Sequence, residues 1–109
     1  HAAGDALIRG AAEALKRHVR ASDTVARLGG DEFGVLVWHA DEAVAVTKAR
    51  ALQAALDSSL IAWSDRALTP AASVGAAELA TDMTIDEALR LADSRLYADK
   101  AMRRRAKAA

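Results

Sequence analysis

The chain has 109 residues, which suffice for one domain and are too few for two. Its apolar fraction of 52% can form a core, and its formal net charge of zero argues against nucleic-acid or membrane-surface roles, which need a basic excess. It contains no cysteine, which excludes disulfides, thiol catalysis and cysteine metal sites and fits a cytoplasmic location.

The first half of the sequence predicts a helix followed by a β-hairpin. After Asp5, an acid that favours a helix N-terminus, apolar residues recur at helical spacing: Leu7, Ile8, Ala11, Ala12, Leu15 and Val19. Residues 22–23 end this pattern, and residues 24–28 and 33–38 predict two strands. Between them, residues 29–32 predict a turn, with glycines available for a positive φ.

The second half predicts two further helices and one strand. Asp41 is the predicted N-cap of a helix whose buried face comprises Val44, Ala45, Ala49, Leu52, Ala55 and Leu56. Residues 57–66 predict a loop, and residues 67–77 predict a strand with an edge or bulge at the single proline. Thr84 and Glu87 match a capping box, and the third helix buries Ala88, Leu89, Ala92, Leu96 and Tyr97.

This order of elements predicts an α/β fold, in which an antiparallel-containing sheet with a central β-hairpin is covered by helices. Three strands are few for three helices, and the sequence opens at His1 within an apparent helix start. We therefore expect an N-terminal part of the domain to be missing. The predicted domain covers residues 1–105, and residues 106–109 are a predicted frayed tail.

The predicted turn carries residue types suited to phosphate and metal binding. Gly29 and Gly30 have no side chains, so their N–H groups can approach phosphate oxygens. Asp31 and Glu32 are adjacent on a turn, so both can approach one Mg²⁺ that bridges those phosphates. Taken alone, the motif also fits a plain hairpin with an acidic tip.

Five stretches of the chain together form a more specific pattern. They are HAAGD at 1–5, RASD at 20–23, RLGGDEF at 27–33, SVG at 73–75 and ADSRLYADK at 92–100. In order and spacing they resemble the H-x-x-G-D, R-x-x-D, GGDEF, S-x-G and A-D-x-x-L-Y-x-A-K motifs of the GGDEF-domain family, the diguanylate cyclases. The resemblance implies a nucleotidyl-cyclase or palm-like fold and the condensation of two GTP molecules into cyclic di-GMP, a bacterial second messenger, by two domains that meet face to face.

The resemblance assigns roles to the residues of the turn. Asp31 would be a metal ligand and the candidate base for the attacking 3′-hydroxyl, and Glu32 would be a second ligand of Mg²⁺ or Mn²⁺. Gly29 and Gly30 would carry the phosphates. These roles suit the reaction, because a metal ion stabilises charge on the α-phosphate.

Four further residues would bind the substrate GTP. The resemblance implies that Asp5 binds the guanine edge with His1 nearby, and that Lys100 and Arg104 reach the phosphate tail. Each has an alternative, since acids are common at helix N-termini and cations are favoured at helix C-termini.

The resemblance also implies a feedback site for the product. Arg20 and Asp23 would bind cyclic di-GMP, with a local ion pair that caps the helix as the alternative reading. We expect the partners to be a second such domain and an upstream sensory domain, with neither nucleic acid nor membrane contacted by this chain.

The sequence departs from the family pattern in two respects. The family's opening D-x-D-x-F-K strand and the N-D helix end have no counterpart here, so we expect the chain to cover about the C-terminal two-thirds of the domain and to be a poor catalyst alone. It could then be one piece of an enzyme, a truncated module that binds GTP or cyclic di-GMP, or an interaction domain. In addition, Asp99 and Arg103 stand where the family has alanine and glycine.

Overall fold

The computed structural model describes residues 2–108 and contains three helices and five strands within that range. In chain order they are α1 (Ala2–Arg17), β1 (Thr24–Gly29), β2 (Glu32–Trp38), α2 (Glu42–Asp57), β3 (Ile61–Trp63), β4 (Arg66–Leu68), β5 (Ser73–Leu79) and α3 (Ile85–Ala108). Within this part of the chain, no helix combines the length and apolarity needed to cross a bilayer.

The main sheet has the strand order β1-β2-β5. Strands β1 and β2 are antiparallel and form the predicted hairpin, whereas β5 lies parallel to β2. Parallel neighbours need a crossover connection, and α2 provides it. The strands β3 and β4 form a separate two-stranded hairpin.

Alternation along β2 divides the core into two layers. Phe33, Val35 and Val37 pack with buried residues of α1, α2 and β5, while Leu36 packs with buried residues of β5 and α3. Helices thus cover both faces of the sheet, which confirms the predicted α/β class.

Two predicted helix caps are confirmed in the structure. The carboxylate of Asp41 accepts a hydrogen bond from the N–H of Val44 at 2.9 Å. Thr84 and Glu87 exchange reciprocal bonds, with Glu87 N–H to Thr84 Oγ1 at 3.1 Å and Thr84 N–H to Glu87 Oε1 at 3.0 Å. The hydrogen bond from the Thr84 backbone lowers the pKa of the Glu87 carboxyl.

Several local predictions were wrong. The predicted loop at 57–66 contains β3, and the predicted strand at 67–77 is interrupted, because β4 ends at Leu68 and β5 begins only at Ser73. The three-residue strands of this hairpin are too short for alternation to reveal them. Helix α3 extends to Ala108, so residues 106–108 are helical in the structure, and the fraying of the tail at 106–109 stays a prediction.

Two residues predicted to be buried are exposed instead. Val44 is 48% exposed and Tyr97 is 56% exposed. Both are neighbours of residues that do pack inward, since Ala45 and Leu96 are buried. Each helix therefore presents a narrower apolar face to the sheet than its composition predicts.

Side chains cover the free edge of β5. Gln53 donates from Nε2 to the carbonyl of Ala72 and accepts at Oε1 from the N–H of Val74, both at 3.0 Å. Arg95 Nη1 donates to the carbonyl of Ala76 at 3.1 Å. These bonds satisfy backbone groups that an edge strand otherwise leaves unpaired.

Candidate functional site

The turn between β1 and β2 is short and firmly held. Gly29 pairs with Glu32 across the hairpin, so Gly30 and Asp31 form the two-residue loop. Gly30 has a φ of 42°, in the left-handed region that favours glycine. Arg27 Nε donates to the Gly30 carbonyl at 2.8 Å, and the N–H of Ser73 donates to the Asp31 carbonyl at 3.0 Å. The second bond ties the loop to the start of β5.

The two carboxylates of the turn have different surroundings. Asp31 is exposed, while the Glu32 side chain is only 18% exposed. Lys100 on α3 donates from Nζ to Glu32 Oε2 at 2.8 Å. Glu32 shares a face of β2 with Leu36, which packs against α3, and this explains why Glu32 meets a residue of that helix.

The space beside the two glycines of the turn is empty. A β-carbon built on Gly29 or Gly30 would meet no atom within 4 Å. A ligand can therefore approach the backbone there, as phosphate groups do at glycine-rich turns.

The donors of the turn suit a hard divalent cation that is shared with phosphate groups. Mg²⁺ is usually held by one or two carboxylates together with substrate phosphates and water, and Asp31 and Glu32 provide two adjacent carboxylates. Over residues 2–108 no group of three or more histidine or acidic side chains could hold a metal ion. The residues present thus fit an ion held jointly with a ligand, and they do not form a complete protein cage.

Asp5 and Arg104, which were also predicted to bind the substrate, do not contact the turn in the part of the chain that the structure describes. Asp5 is exposed in the first turn of α1, and Arg104 is exposed on α3, one helical turn beyond Lys100. Among the contacts of residues 2–108, neither forms a hydrogen bond or ion pair with the turn. His1 lies outside the described residues.

Arg20 and Asp23 lie at the opposite end of the hairpin. Arg20 Nη2 is 3.5 Å from the carbonyl oxygen of Trp38, the last residue of β2, whereas the turn adjoins its first residue. At about 3.3 Å per residue, the two ends of β2 are roughly 20 Å apart. The two candidate sites are therefore separate but share one hairpin.

The Asp23 carboxylate is enclosed by protein. Its side chain has 0% exposure, and Oδ2 accepts the backbone N–H of Arg20 at 2.9 Å. The Arg20 guanidinium is 3.9 Å from Oδ1 and the Lys48 ammonium is 3.6 Å from Oδ2. The local ion pair of the sequence prediction is present, with an additional cation from α2.

Sequence reasoning missed three of these interactions. Nothing near Lys48 in the sequence signals its contact with Asp23, 25 residues earlier. Arg27 is the first residue of the recognised RLGGDEF stretch, but its hydrogen bond to the Gly30 carbonyl was not predicted. The two departures from the family pattern pair with each other, since Arg103 Nε lies 2.9 Å from Asp99 Oδ2.

Comparison with known proteins gives consistent matches. A model of the GGDEF family, described as diguanylate cyclase, GGDEF domain, matches residues 1–106. The probable diguanylate cyclase DgcE of Escherichia coli K12 is 42% identical over 76 residues, which are 69% of this chain and 7% of that protein. Diguanylate cyclase A of Treponema denticola is 28% identical over 101 residues, 92% of this chain and 27% of that protein.

A third relative matches a shorter stretch. The bifunctional diguanylate cyclase/cyclic di-GMP phosphodiesterase MucR of Pseudomonas aeruginosa PAO1 is 48% identical over 52 residues, 48% of this chain and 8% of that protein. The chain thus spans less than a third of each of these three relatives. No solved structure gives a significant match.

Proposed function

The chain belongs to the GGDEF family of diguanylate cyclases, and from this premise we propose that it binds GTP at the glycine turn and takes part in its condensation to cyclic di-GMP. The observation that carries the proposal is the turn itself. It has an exposed carboxylate at Asp31, an open flank at Gly29 and a lysine, Lys100, supplied by the last helix.

The proposed reaction joins two GTP molecules. The 3′-hydroxyl oxygen of one attacks the α-phosphorus of the other, a new P–O bond forms, and pyrophosphate leaves. Asp31 is the candidate acceptor of the hydroxyl proton, because it is an exposed carboxylate on a fixed backbone. Repetition with the roles exchanged closes the ring, which requires a second GGDEF domain facing this one.

Asp31 and Glu32 would hold a divalent cation, Mg²⁺ or Mn²⁺, together with the phosphates. The chemistry that such an ion supplies when bound is stabilisation of negative charge on the phosphate oxygens. Lys100 would add a further positive charge, and the contact of its ammonium with Glu32 beside the turn supports this. The ion pair also holds the Glu32 carboxylate in one orientation, so that less ordering is needed on binding.

The remaining substrate and partner assignments belong to the same proposal. Asp5 would accept hydrogen bonds from the guanine edge with His1 nearby, and Arg104 would extend the cationic side of α3 toward the phosphate tail. An upstream sensory domain would regulate the encounter of two such domains.

Product feedback at Arg20 and Asp23 completes the proposed cycle. The Arg20 side chain is 59% exposed, and its guanidinium can bind a phosphate or a guanine edge. The site lies at the far end of the hairpin from the turn, so cyclic di-GMP bound there would leave the turn itself unblocked.

The test is product formation from GTP and Mg²⁺ by the purified full-length protein, in which the domain is intact, followed by chromatography. Asp31→Asn should lower turnover by about 100-fold, as loss of a preorganised catalytic group typically does. Asp65→Asn is the matched control, because Asp65 is also an exposed acid in a hairpin turn, between β3 and β4, and it should leave turnover unchanged. Equal turnover in the wild type and Asp31→Asn would refute the assigned role.

A nucleotide-binding module without turnover is the second candidate. The favouring observation is that residues 2–108 provide only the two acids of the turn, with Glu32 already paired to Lys100. GTP binding by calorimetry, with no cyclic di-GMP formed at saturating GTP and Mg²⁺, would select this alternative. Absence of both binding and turnover would leave an interaction domain.

A further inference from the structure

A partly buried ion pair links helix α2 to Asp23, the residue just before β1. Lys48 Nζ lies 3.6 Å from Asp23 Oδ2, the Lys48 side chain is 24% exposed, and the Asp23 side chain is fully enclosed. Lys48 follows Asp23 by 25 residues, so the contact depends on packing of α2 beside the hairpin. Charges removed from water interact more strongly than a surface pair.

Arg20 is placed differently from Lys48. The Arg20 side chain is 59% exposed, and its guanidinium lies 3.9 Å from the carboxylate, against 3.6 Å for the Lys48 ammonium. Both distances are ion-pair contacts beyond hydrogen-bonding range. Lys48 is therefore the nearer and less exposed of these two cations, and Arg20 lines a recess of about 270 Å³ together with Lys16 and Asp23.

One oxygen of the enclosed carboxylate is unused. Asp23 Oδ1 is buried and accepts no hydrogen bond from the residues that the structure describes. Buried acceptors are rarely left unpaired, and an exception calls for an explanation. An N–H donor from a ligand in the neighbouring recess would satisfy this oxygen once the Arg20 guanidinium, 3.9 Å from Oδ1, turned away from it.

We propose that Lys48 is a positioning residue of the product site. Its ammonium neutralises Asp23 from the protein side, which leaves Oδ1 for a ligand N–H and the Arg20 guanidinium for a ligand phosphate. Without Lys48, the enclosed carboxylate would draw Arg20 inward, because Arg20 is the other cation that forms an ion pair with Asp23 among residues 2–108. This inference rests on the proposed binding of cyclic di-GMP at Arg20 and Asp23.

The test is titration of the purified protein with cyclic di-GMP in a calorimeter. Lys48→Met, which keeps the length of the side chain but removes its charge, should weaken binding at least 10-fold. Lys48→Arg restores the charge and should bind within 3-fold of the wild type. Arg50→Met is the matched control, because Arg50 is a cation of the same helix that lines the groove between α2 and α3.

The outcomes separate this inference from the proposed function. If the wild type binds cyclic di-GMP and Lys48→Met binds equally well, the role of Lys48 is refuted and the product site stands. If the wild type does not bind, the product site fails and the role of Lys48 falls with it. Equal weakening in Lys48→Met and Arg50→Met would show a general loss of positive charge and would also refute the inference.

Two further measurements exclude a purely structural role. Thermal unfolding of each variant identifies any that do not fold, and Lys48→Gln replaces Lys48→Met if the latter is unfolded, with the same 10-fold loss expected. Binding of GTP at the turn should be unchanged in the folded Lys48 variants. A parallel loss of GTP binding would indicate a disturbed fold and overturn the assigned role.

Discussion

Helix α3 packs tightly against β5 at Gly75, and replacing this residue with alanine should displace the helix. A β-carbon at this position would lie 2.9 Å from Cβ of Leu96 and closer still to the carbonyl oxygen of Ala92. The obstructing oxygen belongs to the backbone of α3, so no side-chain rotation can make room. To restore an ordinary separation of about 3.5 Å, the helix has to move by at least about 0.6 Å.

Such overpacking costs about 1–3 kcal/mol of unfolding free energy. For a domain of this size that corresponds to a fall in Tm of about 5–15 °C. The displacement also moves Lys100, which is carried by the same helix and contacts Glu32 at 2.8 Å. Gly75→Ala should therefore weaken both the fold and nucleotide binding at the turn, although Gly75 is not assigned to either candidate site.

Urea unfolding followed by circular dichroism measures the effect on stability. Gly29→Ala is the matched control, because the same methyl group there enters open space and Gly29 does not have a left-handed φ. Its unfolding free energy should stay within about 0.5 kcal/mol of the wild type. If Gly75→Ala were as stable as Gly29→Ala, the packing argument for α3 would be refuted.

Three further changes test single interactions. Hydrogen bonding from Arg95 lowers the pKa of Glu78 below its ordinary value of 4.5, so its stabilisation is present above about pH 4.5 and is lost as the pH falls through the folded-state pKa. Urea unfolding should therefore show Glu78→Gln less stable than the wild type at pH 7, and the difference should shrink as the pH falls below about 4.5, whereas a pH-independent difference would contradict this. Gly30→Ala places a side chain at a φ of 42° and should cost about 1–2 kcal/mol in thermal unfolding, and an unchanged Tm would show that the turn relaxes freely. Thr84→Ala removes the capping bond to Glu87 and should cost about 1 kcal/mol in urea unfolding, and an unchanged midpoint would mean that α3 does not depend on its cap.

The features that sequence analysis predicted correctly involve residues close together in the chain. The N-cap at Asp41 and the capping box of Thr84 with Glu87 connect residues three apart, and the structure contains both. The hairpin around Gly30 was likewise predicted from a glycine turn between two short predicted strands. Local geometry fixes such contacts, so the order of residue types is enough to predict them.

The short hairpin of β3 and β4 was missed because three-residue strands carry too little pattern, even though their turn is local. The exposure of Tyr97 was missed for a different reason. Which residues of a helix face the core depends on how the helix lies on the sheet, and this is set by packing between layers. Tyr97 was predicted to lie in the core because it is an aromatic residue next to Leu96 of the predicted buried face.

The sequence by itself determined the residue types of the turn, the helices and their caps, and the motifs that identify the family. Only the tertiary structure decided that Glu32 meets Lys100, 68 residues away, and that Asp23 is enclosed with Lys48. The physical reason is that each contact depends on the face a side chain occupies and on the element packed against that face. The parallel orientation of β5 beside β2 is also a feature of the tertiary structure, because parallel strands occur where helices bury both faces of a sheet.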